Sequence, residues 1–186
     1  MALKYASVDV ELREVLLRDK PDAMLEASAK GTVPVLVLPD GRVIDESVDV
    51  MRWALAKSDP DSWRLDDLES ETDGLVNEND FVFKQHLDHY KYADRHPEQR
   101  QSYYRGKAEK FLRLLEQKLT LNPYLVTDRP TFADIAVFPF IRQFAFVDKA
   151  WFDQAPYPKL QGSLQAFLDS DLFLSVMTKF PRWEED

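Results

Sequence analysis

The sequence predicts an α+β protein in two parts: a small mixed lobe over residues 1–57 and an all-helical lobe over residues 66–186, joined by a linker at 58–65. Three observations carry that reading. Residues 8–17 and 33–44 hold alternating or continuous apolar runs separated by turn chemistry. From Trp63 onward apolar residues recur at helical spacing instead. Between the two regimes, Ser58-Asp59-Pro60-Asp61-Ser62 interrupts both patterns.

Composition narrows the class. A chain of 186 residues suits one compact unit or two small packed ones. With 45% hydrophobic and 31% charged residues and only five glycines, it reads as globular and helix-leaning. A net charge of -9 argues against nucleic acid and against an anionic membrane surface, both of which require clustered Lys and Arg. No apolar run approaches the roughly 18 to 20 residues that span a bilayer, and the first residues lack a signal peptide's apolar stretch, so a cytoplasmic location is expected. The absence of cysteine removes disulfides, thiolate metal sites and a protein thiol nucleophile from these residues.

Val8, Val10 and Leu12 alternate with Asp9, Glu11 and Arg13 and lead into Val15-Leu16-Leu17, which predicts a strand with one buried face. Residues 21–29 predict a short helix. Val33-Pro34-Val35-Leu36-Val37-Leu38 predicts a buried strand, turned by Pro39-Asp40-Gly41-Arg42 into a partner strand at Val43-Ile44. Glu46-Ser47 opens a helix through Ala56, with Ser47 as N-cap and Val50, Met51, Ala54 and Leu55 on one face.

The helical part begins with the acidic stretch at 66–73, a solvated face near a helix start, where negative charge is favourable. Tyr104, Ala108, Phe111, Leu112, Leu115 and Leu119 mark a long amphipathic helix ended by Asn122-Pro123. Thr131-Phe132-Ala133-Asp134 has the form of a capping box, with Asp in place of the longer Glu, and Pro139 should bend the helix that follows. Residues 163–177 predict a last helical region. Phe138, Phe140, Phe144, Phe146, Trp151 and Phe152 are expected to hold this lobe together. Tyr90, Tyr92, Tyr103 and Tyr104 recur at helical spacing and read first as core. His86 and His89 share a helix face, but two histidines without a third spaced ligand make a poor metal site, and none is expected.

Taken together, Gly31-Thr32-Val33-Pro34-Val35-Leu36, Asp45-Glu46-Ser47 and Arg129-Pro130-Thr131-Phe132-Ala133-Asp134-Ile135-Ala136 resemble the glutathione S-transferases, and the similarity covers essentially the whole chain. The resemblance implies a partial thioredoxin-like lobe that binds glutathione and an all-α lobe that builds most of the second-substrate site. It also implies that residues 1–6 correspond to the end of the family's first helix. On that correspondence the opening strand and the loop bearing the catalytic Tyr, Ser or Cys have no counterpart here, and no catalytic residue is assigned. The sheet is then expected to close antiparallel across a gap, to borrow a strand from a neighbouring chain, or to stay partly disordered.

For the ligand, the resemblance implies a cis Val33-Pro34 element whose Val33 main chain pairs with the cysteinyl part of glutathione, as an added strand would. Read from the residues alone, a trans proline opening a strand is the lesser alternative. Glu46 and Ser47 lie at a helix start, where an anion and an ammonium are both accommodated, which suits the γ-glutamyl end. By themselves, these two residues fit plain capping by Ser47 and a solvated Glu46 better. Lys20 matches the lysine that contacts the glycyl carboxylate, with Lys30 a weaker second candidate. Glutathione is the expected co-substrate, beside an unidentified small electrophile or disulfide, and a homodimer is expected. Conjugation or thiol-disulfide chemistry, a non-catalytic binding module and a longer native protein of which these residues are a part all remain open.

Overall fold

A computed structural model describes residues 1–184, which fall into two compact units: Met1–Asp61 with the segment from Asp171 onward, and Ser62–Ser170. The sequence placed the second boundary elsewhere, counting everything after residue 66 as helical lobe. Residues from 171 onward group with the first unit instead.

The first unit opens with α1 (Ala2–Tyr5), α2 (Asp22–Ala27), β1 (Leu36–Val37), β2 (Val43–Ile44) and α3 (Ser47–Lys57), and is completed by α10 (Asp171–Val176). Small side chains let α1 lie close on α3: Ala2, Ala6 and Ala54 are buried together, with Leu3, Val8, Met51 and Trp53 packed around them. The hairpin forms as its turn chemistry predicts. Leu36 pairs with Ile44 and Val37 with Val43, and Gly41 takes a φ of 84°, where other residues are disfavoured. The Asp40 carboxylate accepts from the Arg42 amide at 3.1 Å and from its guanidinium at 2.8 Å.

Two strand expectations are corrected. Residues 8–17 form no strand; only single bridges occur, at Glu14 and between Leu16 and Asp19, and Val10, Leu12, Leu16 and Leu17 are exposed. Alternation supplies a face to bury, but without a neighbouring strand there is nothing to bury it against. The Val33–Leu38 run shortens to Leu36–Val37, because Pro34 has no N–H to give a ladder. Of its valines, Val33 and Val37 remain more than half exposed. Among the described residues the sheet is the β1–β2 hairpin, and Glu14 pairs in parallel with Arg182 of the same chain.

The second unit is helical throughout: α4 (Glu69–Glu78), α5 (Lys84–Lys91), α6 (Gln101–Leu121), α7 (Phe132–Ala145), α8 (Lys149–Gln154) and α9 (Pro158–Leu168). A π turn at Asn79–Phe83 joins α4 to α5 and buries both Asn79 and Phe83. Phe83 lies 5.0 Å from the Phe111 ring and 5.9 Å from Phe144, which joins it to Tyr90 at 5.0 Å, Trp151 at 6.1 Å and Phe152 at 6.4 Å. The buried face of α6 is the six residues its periodicity picked out. Phe146 is the exception among the expected core aromatics; it is the C-cap of α7, exposed, with the Arg142 guanidinium over its ring. The last helical region is two helices rather than one, broken at Asp169-Ser170, where the Ser170 hydroxyl donates to the Phe167 carbonyl at 2.7 Å and competes with the ladder.

The capping box of α7 is closed. Asp134 Oδ2 accepts from the Thr131 amide at 2.9 Å and from the Thr131 hydroxyl at 2.7 Å, while Oδ1 accepts from the Leu125 amide at 2.9 Å. Burial pushes the Asp134 carboxyl above its usual range, and these hydrogen bonds work against that shift. Replacing Asp134 with Ala strands three buried donors and is expected to cost about 3 kcal/mol. Thr131→Ala is expected to cost about 1 kcal/mol. The double variant should lose little more than Asp134→Ala alone, since both act on one network. Urea unfolding midpoints of the three variants check this; additive losses would show that the two residues act independently.

Candidate functional site

The expected site residues all lie in the first unit. Residues 16–19 form a tight turn, closed by the Asp19 amide on the Leu16 carbonyl at 2.9 Å, which delivers Lys20 to the start of α2. Gly31 has a φ of 59°, a left-handed conformation that suits glycine. A Cβ at Gly31 would come within 3.2 Å of Lys20 Nζ, so the absent side chain leaves room for that ammonium. Lys20 therefore reaches the loop that leads into Val33.

The Val33–Pro34 peptide is cis, as expected. Among the described residues no backbone hydrogen bond engages the Val33 amide or carbonyl, so both stay available to an extended ligand.

Residues 28–30 are tied to the start of α3 by a polar cluster. Ser28, itself buried, donates to Asp45 Oδ2 at 2.6 Å, and Lys30 Nζ bridges Asp45 at 2.9 Å and Glu46 at 2.7 Å. The hydrogen bond from Ser28 and then that from Lys30 hold the Asp45 carboxyl below its usual range. The Lys30 ammonium is held above its usual range, first by Glu46 and then by Asp45. Two expectations change here. Lys30, anticipated as a second contact for a ligand carboxylate, is committed to Asp45 and Glu46. Ser47 is not the N-cap: Glu46 is, with extended backbone, and Ser47 is the first helical residue, exposed and without a capping bond. A Ser followed by helical residues satisfies the capping pattern at either position, so sequence could not separate the two.

Lys20 thus lies against Gly31, Glu46 is joined to Lys30, and residues 28–31 connect the two groups. Ser28 and Asp45 were not anticipated as organisers of the site; the polar pair flanking Ala29-Lys30-Gly31 and preceding Glu46 was the available signal. Behind Val33 the unit contains a cavity of about 130 Å³, lined by Val15, Met24, Ala27, Val33, Val35 and Val37 with Arg13 and Trp183 among the remaining wall residues. Lys20, Glu46 and Ser47 do not line it.

Tyr90, Tyr92, Tyr103 and Tyr104 belong to the helical unit. In the first unit, the Tyr5 hydroxyl donates to Asp59 Oδ1 at 3.1 Å and accepts from the Asp61 amide at 2.7 Å. Burial, reinforced by the Asp59 carboxylate, pushes that phenol up to about 12. His89 stacks on His96 at 3.9 Å, and among the described residues no group of three or more His, Cys, Asp or Glu side chains could hold a metal ion. Among those residues no helix is long and apolar enough to cross a membrane.

The family models for the glutathione S-transferase N-terminal domain and C-terminal domain match residues 1–57 and 80–162 respectively. No curated protein matches the chain by sequence. Among solved structures, the bacterial glutathione S-transferase BphK, determined as a ternary complex, superposes with a TM-score of 0.79 at 22% identity, covering 94% of this chain and 88% of that one. Glutathione transferase Omega 3C from Trametes versicolor gives a TM-score of 0.78 at 18% identity over 97% and 83% of the two chains. A glutathione S-transferase from Rhodospirillum rubrum F11 gives 0.77 at 21% over 97% and 86%. These likenesses establish a common fold, and the two domain models, matched in order on either side of the junction near residue 62, identify whose fold it is: the chain belongs to the glutathione S-transferase family.

Proposed function

We propose that the first unit binds glutathione, with the Val33 main chain pairing with the cysteinyl residue, Glu46 and Ser47 receiving the γ-glutamyl end, and Lys20 receiving the glycyl carboxylate. The observation that carries this reading is that, among the described residues, no backbone partner engages the Val33 amide or carbonyl, in a loop that Lys20 reaches at Gly31 and that Lys30 joins to Asp45 and Glu46. Glutathione has the complementary order, an ammonium at one end, an extended peptide in the middle and a carboxylate at the other. The ligand's ammonium would join Lys30 at Glu46, while its γ-glutamyl carboxylate takes the free amides at the start of α3 and the uncommitted Ser47 hydroxyl.

The chemistry proposed for the bound thiol is conjugation to an electrophile, with a hydroxyl or amide donor stabilising the thiolate. Mixed-disulfide exchange through a protein cysteine is the less favoured alternative, because residues 1–186 contain no cysteine. A non-catalytic glutathione-binding module of the same fold is the second reading; the commitment of the Tyr5 hydroxyl to Asp59 and Asp61 favours it. We further propose a homodimer, as is usual for the family.

Titration calorimetry with glutathione tests the site. Glu46→Gln is expected to weaken binding about tenfold, the loss of one charge-assisted hydrogen bond. Ser47→Ala should weaken it by a smaller factor, and equal binding by wild type and both variants would remove this end of the site.

Assays of residues 1–186 with a reactive aryl halide, and separately with a glutathione mixed disulfide, separate the chemistries. The disulfide assay is expected to show no turnover above background. Turnover there would require a nucleophile other than cysteine and would overturn the assignment.

A further inference from the structure

The C-terminal segment makes three contacts with residues 13–19 that the proposed site does not use. The Trp183 amide donates to the Glu14 carbonyl at 2.8 Å, as part of the parallel bridge between Glu14 and Arg182. The Arg182 guanidinium lies 2.6 Å from the Asp19 carboxylate and reaches the Asp19 carbonyl at 3.4 Å. The Arg13 guanidinium sits 4.6 Å above the centre of the Trp183 ring, and that ring closes one side of the cavity behind Val33.

Between Val8, which packs on the α1–α3 core, and the turn at 16–19, residues 9–14 have little else among the described residues to order them, since Val10 and Leu12 are exposed and no sheet includes them. An unanchored segment of this kind samples many conformations, and the turn at 16–19 joins it to Lys20. Asp19 also carries a negative charge one residue from Lys20. Left unpaired, that charge would oppose an anionic ligand at the lysine.

We propose that residues 182–183 act as an intramolecular strap: Arg182 and Trp183 are positioning residues that fix residues 13–19, neutralise Asp19 and so hold Lys20 ready for the glycyl carboxylate. The occupant of the edge at Glu14 is the chain's own C-terminal segment, joined through α10 to the same unit. This proposal rests on the glutathione reading above for its ligand, and on the backbone pairing and side-chain contacts of residues 182–183 for its structural half.

The experiment compares wild type with Arg182→Ala, Arg182→Lys and Trp183→Pro, the last of which removes the donor N–H. Two readouts are taken: amide hydrogen exchange across the chain, and calorimetric binding of glutathione and of γ-glutamylcysteine, which lacks the glycyl carboxylate. Faster exchange confined to residues 13–20 is expected in Arg182→Ala and Trp183→Pro, with residues 62–170 unchanged. Arg182→Ala should weaken glutathione about three- to fivefold, as befits an exposed ion pair, leave γ-glutamylcysteine unaffected, and be largely rescued by Arg182→Lys. Equal weakening of both ligands would overturn the positioning role, since general loosening of the unit does not select the glycyl end. Unchanged exchange at residues 13–20 would overturn the strap itself. Protection of those residues that is lost on dilution would assign the strap to a second copy and overturn the intramolecular form. If wild type binds neither ligand, the glutathione reading fails and the ligand half of this proposal fails with it, while the exchange result still decides whether the strap exists.

Discussion

The Asp134 carboxylate organises the helical unit because it is buried and still answers three donors on two stretches of chain. A carboxylate taken out of water is costly unless hydrogen bonds replace its hydration. Here the replacements come from the first residue ahead of α7 and from Leu125 in the loop after α6, so satisfying one side chain fixes where both helices end and begin. The Phe132 amide adds a further tie by donating to the Trp63 carbonyl at 2.9 Å, which anchors the entry of the unit to the same corner. Aromatic packing around Phe83 then has a frame to fill, and the burial of Phe144, Phe152 and Leu112 follows from helices already held in register.

Beside its small α1–α3 core, the first unit is organised by a polar cluster that runs from buried Ser28 out to the surface. Asp45 collects Ser28 and Lys30, Lys30 collects Glu46, and the loop before Val33 is thereby tied to the start of α3. Exposed ion pairs contribute little to stability each. Their value here is geometric: they tie the loop that leads into Val33 to the start of α3, at little cost in desolvation. The two units thus divide the labour, one held by packing and a satisfied carboxylate, the other by surface polar contacts around open main-chain groups.

The helical unit was largely legible in the sequence because its signals are local. The stripe from Tyr104 to Leu119 and the Thr131 to Asp134 box each depend on residues within a few turns of one another, and both appear where periodicity and capping put them. The π turn at 79–83 was not legible, since one looser turn barely alters an apolar period. In the first unit, Gly41 and Asp40 specify their turn locally, and the hairpin forms accordingly. Residues 8–17 mislead for the opposite reason: alternation reports which face could be buried, and whether a partner exists is a long-range fact. The partner for Glu14 lies 168 positions away at Arg182, beyond any pattern that spacing can reveal. The cis Val33–Pro34 peptide was readable from its motif, whereas the capture of Lys30 by Asp45 and Glu46 depended on the fold bringing two loops together.

That the first unit is assembled from residues 1–61 and the segment after 171 also sets an order of events during synthesis. The ribosome releases the whole of residues 62–170 before it delivers Arg182 and Trp183. The helical unit, whose stabilising contacts are internal, has all of its sequence available while the first unit still lacks the segment that pairs with Glu14. The N-terminal part of the nascent chain therefore lacks its partner for Glu14 until Arg182 and Trp183 have been made.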